Sequence, residues 1–457
     1  MKIKLISILS IAIIFNSCSS WIDSSLNTDP NNPSDVAMAQ LVAPIEANLA
    51  YIAGGELPRF TSEWMQQIAG LQSQSADIDI YNISEADTEN AWSFNLYSPG
   101  MINTKLLMEK AVAKSSPHFA GVAKILMAYQ LGLTTDLFGD IPYSDAFKGA
   151  TGQTKSKYDT QEAIYTTIFT LLNEAITDLS SASSAFKPGT EDLIYGGDKA
   201  KWTKTAYALI ARYKLHLVKQ KGASAYADAL AAIANAYTSN DDDFKFVFGT
   251  AYNNSNPIFQ FESERAKYIG ANSTYLSMLN ATSDPRRAVY FTGNVGSVSG
   301  AATAGASPIG VNYASTASPV YLMSYAELKF IESEASLKST TPDVARAVTA
   351  YNAGLKASLD REGVYDATWF AANSITAGTI TLEKIINQKY LSSFLQVEAY
   401  NDWRRTGFPT LTLATGAITT EIPRRLPYAQ DERLYNYVNF KAYESLTITS
   451  RVWWDKP

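Results

Sequence analysis

Ser324 to Leu359 reads SYAELKFIESEASLKSTTPDVARAVTAYNAGLKASL, and its spacing carries the fold. Ser324, with Glu327 three residues on, has the form of a capping box ahead of a helix over 325–337. Thr341, Pro342 and Asp343 then fall as N-cap, N1 and N2 of a second helix running to Leu359. Two helices joined by such a turn make a unit of about 34 residues, the tetratricopeptide length. The consensus tryptophan and glycine positions of that repeat are missing, so the expectation is a degenerate repeat.

The same pattern recurs outward from this stretch. Thr203 stands where a cap would open a helix with Ala206, Ile210, Tyr213 and Leu217 inward; Gly222 ends it, and an alanine-rich helix over 224–237 completes the pair. Asp159 and Glu162 form a further capping box, followed by Ile164, Ile168, Leu171, Leu172, Ala175 and Leu179 on one face. Another helix is expected from Leu382 to Phe394, and the first near Asp35. Between the pairs, Phe244–Phe248 and Ile258–Phe261 alternate as the two arms of a hairpin would. Gly293 to Pro308, GNVGSVSGAATAGASP, is expected as a long surface loop.

Composition narrows the function. The 457 residues are 46% hydrophobic and 18% charged with net charge -6, enough apolar content for a packed core and no basic run for nucleic acid. One cysteine and two histidines exclude a Cys/His zinc site and leave His118 and His216 as the only imidazole bases. Both lie on helical patterns, His118 after Pro117 at a helix start and His216 mid-helix, and are expected to be structural. Asp241-Asp242-Asp243 lacks calcium-loop spacing and is expected as a solvated turn, so no metal or cofactor is expected. Against this stand 27 Tyr, 19 Phe and 8 Trp. The chain is poor in catalytic side chains and rich in stacking surfaces.

The lone cysteine has a telling place. Lys2 and Lys4 precede the apolar run LISILSIAIIF over 5–15, the form of a secretory leader too short to span a bilayer. Cys18 follows directly, in a context that resembles a bacterial lipobox, although Phe15-Asn16-Ser17 is looser than the usual form. Residues 1–17 are expected to be a signal peptide, and 18–34 a lipidated N-terminus and polar tether. The body over 35–457 is expected to lie outside the cytoplasm.

Several short motifs occur in one order along the chain. They are Asn27–Pro33 (NTDPNNP), Arg59–Gln67 (RFTSEWMQQ), Asp136–Tyr143 (DLFGDIPY), Asp284–Arg286, Met323–Glu327 (MSYAE) and Ile386–Tyr390 (INQKY). Glu398–Gly407 (EAYNDWRRTG), Ile422–Tyr428 (IPRRLPY) and Val452–Asp455 (VWWD) close the series. The ordered set resembles the SusD/RagB nutrient-binding outer-membrane lipoproteins of Bacteroidetes, in the second SusD-like subfamily, over essentially the whole chain after Cys18. The resemblance implies a mostly α, single-domain fold of tetratricopeptide-like helix pairs with a loop-rich, small-hairpin ligand side. It implies a non-catalytic, cell-surface protein of the outer membrane. Such a protein captures oligosaccharide, or peptide, and hands it to a TonB-dependent transporter of the SusC kind that faces the repeat helices. Its motifs are mostly structural, so it carries no ligand residue across.

Ligand candidates therefore come from this sequence alone. Sugars lay their apolar C–H face on aromatic rings while amides and charges bond their hydroxyls, so rings outside helical periodicity are sought. The polar segment Gln72–Trp92, expected as a loop before a helix beginning near Asn95, offers Tyr81, Asn90 and Trp92. The irregular middle region offers Tyr252, Asn253, Tyr268 and Tyr313. Trp202, Phe330 and Phe394 fall on helical patterns and are expected in the core. Asp136 and Asp140, flanking Gly139, are expected to cap a loop. A membrane-anchored glycoside hydrolase, using paired carboxylates, and a protein-binding scaffold with no nutrient site are the competing readings.

Overall fold

In the computed structural model, which describes residues 36–457, the Ser324 hydroxyl accepts the Glu327 amide at 3.1 Å and opens a helix over Tyr325–Lys338. The leader, Cys18 and the tether lie outside the described residues. The α-helices of seven residues or more are α1 Met38–Gly54, α2 Glu56–Trp64, α3 Ser73–Asp79, α4 Ile102–Ala113 and α5 Pro117–Phe138. They continue with α6 Gln161–Ser180, α7 Lys199–His216, α8 Ala223–Ile233, α9 Pro257–Glu264 and α10 Ser273–Ala281. The last are α11 Tyr325–Lys338, α12 Val344–Arg361, α13 Ala367–Asn373, α14 Leu382–Ser392 and α15 Glu398–Thr406. From α4 the helices stack on their neighbours: α4 on α5, α5 on α6, α6 on α7, α7 on α8, α8 on α11, and α11 on both α12 and α14. Sequence-local neighbours of this kind are what repeat architectures are built from.

Strands are few, short and antiparallel. β1 (Ile68–Gly70) pairs with β5 (Ile269–Ala271), β2 (Ile141–Pro142) with β3 (Tyr158–Asp159), and β4 (Phe244–Val247) with β6 (Pro319–Met323). A continuous apolar core runs beneath the helices, with Trp64, Trp202, Trp454 and Phe394 inside it; Phe330 heads a smaller cluster between α11, α12 and α14.

The motifs converge on a buried charged network. Arg212 grips Glu327 bidentately, Nε to Oε1 at 2.7 Å and Nη2 to Oε2 at 2.6 Å. His216 Nε2 lies 3.0 Å from Glu398 Oε1 and its Nδ1 3.3 Å from Asp136 Oδ2, while Trp454 Nε1 donates to Asp136 Oδ1 at 2.9 Å. Lys389 reaches Asp402 at 2.8 Å, and Arg405 bonds Glu334. Charges taken out of water persist only when paired, which is why five separate motifs share one interior.

The structure corrects several expectations. Thr160, not Asp159, caps α6; Asp159 instead accepts the Tyr143 and Ser144 amides from its strand. Asp198 rather than Thr203 caps α7, and Asp343 itself caps α12. In each case an acceptor a few residues away reaches the free amides first. His216 ends its helix instead of sitting mid-way. Phe244–Phe248 finds its partner in β6, because Asn256 caps Ile258 and Phe259 into α9 and so removes the second arm of the hairpin. Residues 72–92 hold α3 and a 3₁₀ turn over Glu85–Thr88, and the π-helical turns over Trp92–Met101 are broken by extended backbone at Ser98. Asp136 is a helical core residue, although Asp140 does cap, accepting the Gln161 amide. Asp242 and Asp243 are buried, bonded to Lys204 and to the Tyr325 amide. The 293–308 segment has no regular element, yet Ser297, Ser299 and Ser307 are buried and its backbone bonds to Ala271 and Ser273. Gly300 in it has φ +80, and a Cβ there would stand 1.9 Å from the Thr415 carbonyl oxygen, so only glycine fits.

Candidate functional site

The β1–β5 pairing joins two stretches of chain some 200 residues apart. Leu71 donates to the Tyr268 carbonyl at 2.8 Å, Gln72 Nε2 to the Lys267 carbonyl at 3.3 Å, and the Ser73 and Tyr268 hydroxyls meet at 3.4 Å. The polar 72–92 segment is thereby held beside α9. Gly55, between α1 and α2, lets α9 close in from the other side: a Cβ there would lie 2.6 Å from the Tyr51 carbonyl oxygen and 3.0 Å from Pro257 Cβ.

Between these elements opens a cleft of about 260 Å³. Tyr51, Glu56 and Arg59 form one wall, Gln74, Asp87 and Asn90 a second, and Gln260, Phe261, Glu264 and Arg265 a third. Most of the lining is polar. Tyr51 donates to Gln260 Oε1 at 3.2 Å, Gln74 Nε2 to Asp87 Oδ1 at 2.9 Å, and Gln260 Nε2 to the Tyr252 carbonyl at 2.9 Å. Tyr51 and, at the rim, Tyr252 are 42% and 49% exposed.

At the base lies Arg59, buried, with its guanidinium 3.9 Å from the Phe261 ring centroid. Its Nη1, one oxygen of Glu56 and one of Glu262 are buried without a hydrogen-bond partner in the protein. Burial pushes the Glu56 and Glu262 carboxyls up to about 7, against the pull of Arg59. Glu63, one helical turn further in, is held well above the carboxylate range by burial and by Asp79. Asp87 goes the other way: burial raises it, but bonds from Ser84 and Gln74 outweigh that and hold it low. Buried polar groups normally find partners, so the unpartnered Arg59 and Glu56 atoms set this cleft apart as a polar one with bonding capacity left over.

The sequence candidates divide on burial. Asn90 lines the cleft; Tyr252 donates to Glu264 at its rim, and Tyr268 packs edge-on to Phe261 at 6.4 Å. Asn253 is exposed on the 3₁₀ turn that carries Tyr252. The structure places the other three in the interior. Tyr81 is 1% exposed and its hydroxyl accepts the Ala414 amide. Trp92 is 3% exposed and donates to Glu432 at 3.3 Å, and Tyr313 packs edge-on against Tyr290 and Phe394 and donates to Glu362. Polar tips on buried rings have satisfied their bonding internally. Sequence reasoning missed Tyr51, Glu56, Arg59 and Phe261. The signal was present: Glu56, Arg59 and Glu63 recur on one face of a helix that is otherwise almost wholly buried.

A smaller space, bounded in part by Asp136, Arg212 and Glu398, holds about 30 Å³, room for water only. Among the described residues no group of three His, Cys, Asp or Glu is placed to hold a metal ion.

The model of a SusD-like family, described as starch-binding and associating with the outer membrane, matches residues 30–429. The chain belongs to that SusD-like family. Its fold is shared by solved relatives. A SusD/RagB family protein from Bacteroides thetaiotaomicron superposes with a TM-score of 0.79 at 24% identity, covering 92% of this chain and 99% of the other. A chitin-binding SusD homologue from Flavobacterium johnsoniae gives 0.78 at 27%, with 92% and 98% covered. A SusD homologue from Bacteroides uniformis gives 0.77 at 22%, with 91% and 99% covered. No relative of curated function matches. Among the described residues of this SusD-like chain, no helix is long and apolar enough to cross a membrane.

Proposed function

We propose that this SusD-like protein is a non-catalytic, cell-surface binding protein, held to the outer membrane by lipid on Cys18. It takes an oligosaccharide into the Arg59 cleft and passes it to a TonB-dependent transporter. The observation that carries the reading is the cleft itself: buried Nη1 of Arg59 and one oxygen of Glu56 lack partners in its lining, beside the exposed Tyr51. Hydroxyls of a sugar supply both donors and acceptors, and its C–H face matches the rings. Family membership, and a relative that binds chitin, support a glycan over a peptide. Cargo must be released, so binding is expected in the micromolar to millimolar range, about 4 to 8 kcal/mol.

Calorimetric titration with chitin- and starch-derived oligosaccharides, and with a peptide pool, tests this. Saturable glycan binding that weakens about tenfold in Arg59→Ala is expected. Peptide binding alone, or no ligand at all, overturns it. The same incubations assayed for released reducing ends separate binding from hydrolysis, since burial raises the Glu56 carboxyl in the cleft to about 7. Isolation of the membrane-bound protein with a TonB-dependent barrel tests the partner.

A further inference from the structure

Side chains beyond the Arg59 cleft continue its chemistry. On α1, Tyr51 lines the cleft and Asn48 stands one turn before it. On the neighbouring element Asn90 lines the cleft, and Phe94 and Asn95 stand one turn after it, where Glu89–Ala91 runs on into the π-helical turns. The two elements meet at this level: Asn95 Nδ2 donates to the Asn90 carbonyl at 2.8 Å, and Asn48 Nδ2 lies 3.5 Å from Asn95 Oδ1. Gly100 permits the approach, since a Cβ there would stand 2.3 Å from the Asn95 carbonyl oxygen and 3.1 Å from Asn48 Oδ1. Trp92 and Leu96 turn inward and are buried, while Phe94 between them is 63% exposed, more than any other phenylalanine among the described residues. An isolated exposed ring is ordinary. This one stands one turn from a cleft residue and beside two amides. Contacts and chain neighbours thus run from Tyr252 through Gln260 and Tyr51 to Asn48, Asn95 and Phe94.

We propose that the cleft takes the inner units of a linear oligosaccharide of about four units or more, whose outer units pass the Asn48 and Asn95 amides and stack on Phe94. The proposal rests on the oligosaccharide reading above and adds to it the length of the ligand and a second subsite. The cleft, at about 260 Å³, is smaller than the roughly 300 to 1,000 Å³ of a site that encloses a small ligand whole, so it suits a piece of a longer chain. Rings and amides alternate along the track. Each exposed ring offers a face to sugar C–H groups, and each amide offers a donor and an acceptor to hydroxyls. A helical turn rises about 5.4 Å, near the span of one sugar unit, so one turn from Asn90 to Phe94 matches the step to a further unit. A disaccharide fills the cleft and leaves Phe94 bare.

Calorimetric titration of the full chain with ladders of chitin- and starch-derived oligosaccharides, two to six units long, tests this. In the parent, affinity is expected to rise about tenfold from two units to six. Phe94→Ala should remove most of that gain, weakening the six-unit ligand about fivefold and leaving the two-unit ligand unchanged, whereas Phe94→Tyr keeps a ring and should keep the gain. A urea midpoint equal to the parent's separates a lost contact from a lost fold. A parent affinity flat from two units to six, a Phe94→Ala variant that binds six units as the parent does, or a loss equal at every length overturns the Phe94 subsite and leaves the oligosaccharide reading standing. Binding of neither ladder at any length overturns both.

Discussion

The guanidinium of Arg59 lies 3.9 Å from the centroid of the Phe261 ring, joining α2 to α9 at the base of the cleft. The ring shields one face of the cation from water and leaves Nη1 unpartnered. A partly desolvated contact of this kind is worth about 0.5 to 2 kcal/mol, and it fixes where the donor points. Arg59→Lys keeps the charge but loses the planar fork, and Phe261→Leu keeps apolar bulk but frees the guanidinium. Each is expected to weaken oligosaccharide binding, Arg59→Lys by about tenfold and Phe261→Leu by about threefold. Calorimetric titration measures both; affinities equal to the parent's would remove Arg59 from the site.

Glu56 gives the cleft a pH signature. Its folded value, about 7, stands above the ordinary 4.5 because of burial. A carboxyl raised in this way costs nothing while both states are protonated. It destabilises the fold progressively as pH climbs from about 4.5 through 7, where only the unfolded chain ionises freely. Glu56→Gln is therefore expected to match the parent at pH 4 and to exceed it by roughly 1 to 2 kcal/mol at pH 8, after discounting for partial exposure. Urea unfolding at the two values checks it. A variant no more stable than the parent at pH 8 would show the carboxyl is not strained.

What the sequence makes legible follows from range. Helices α6, α11 and α12 are set by local period and capping acceptors, and their spacing carries them within a residue or two. Even there Thr160 displaced Asp159, since competing acceptors lie within one turn. The hairpin failed because strand pairing is not local: nothing in Phe244–Val247 names Pro319–Met323 as its partner. The cleft failed in part for the same reason. Asn90, Tyr252 and Tyr268 stand out as polar or aromatic in irregular stretches. Their meeting depends on Ile68 facing Ala271, which three-residue strands do not announce. Tyr81 and Trp92 show the opposite hazard. They look like loop aromatics, yet the segment folds back on the core and buries both.

Cys18 is the one residue on which attachment is expected to depend. Two or three acyl chains, each buried CH₂ contributing about 0.8 kcal/mol, hold a protein lastingly, and no described helix offers an alternative span. Cys18→Ala should move the protein from the membrane fraction to the soluble one, with ligand binding unchanged. Immunoblotting of fractions reads the outcome. A variant still sedimenting with membranes would place the anchor elsewhere.

His216 supplies the sharpest test of the interior. Burial alone would lower its value, but Glu398 and Asp136 outweigh that and hold it at about 9, above the ordinary 6.5. Glu398 is correspondingly held well below the carboxylate range: burial raises it, yet His216, Lys389 and Arg212 prevail. The imidazolium so bridges α7 to α15 and, through Asp136 and Trp454, to the C-terminus. A raised histidine contributes stability that is full below about 6.5 and disappears as pH rises through about 9. The parent is thus expected to lose about 3 kcal/mol relative to His216→Gln between pH 6 and pH 10. The variant itself should start lower at pH 6, because it leaves Glu398 short of one charged partner. Denaturant unfolding of both proteins at pH 6, 8 and 10 gives the difference curve. A flat difference would mean the ring is neutral, and the contact with Glu398 an ordinary hydrogen bond.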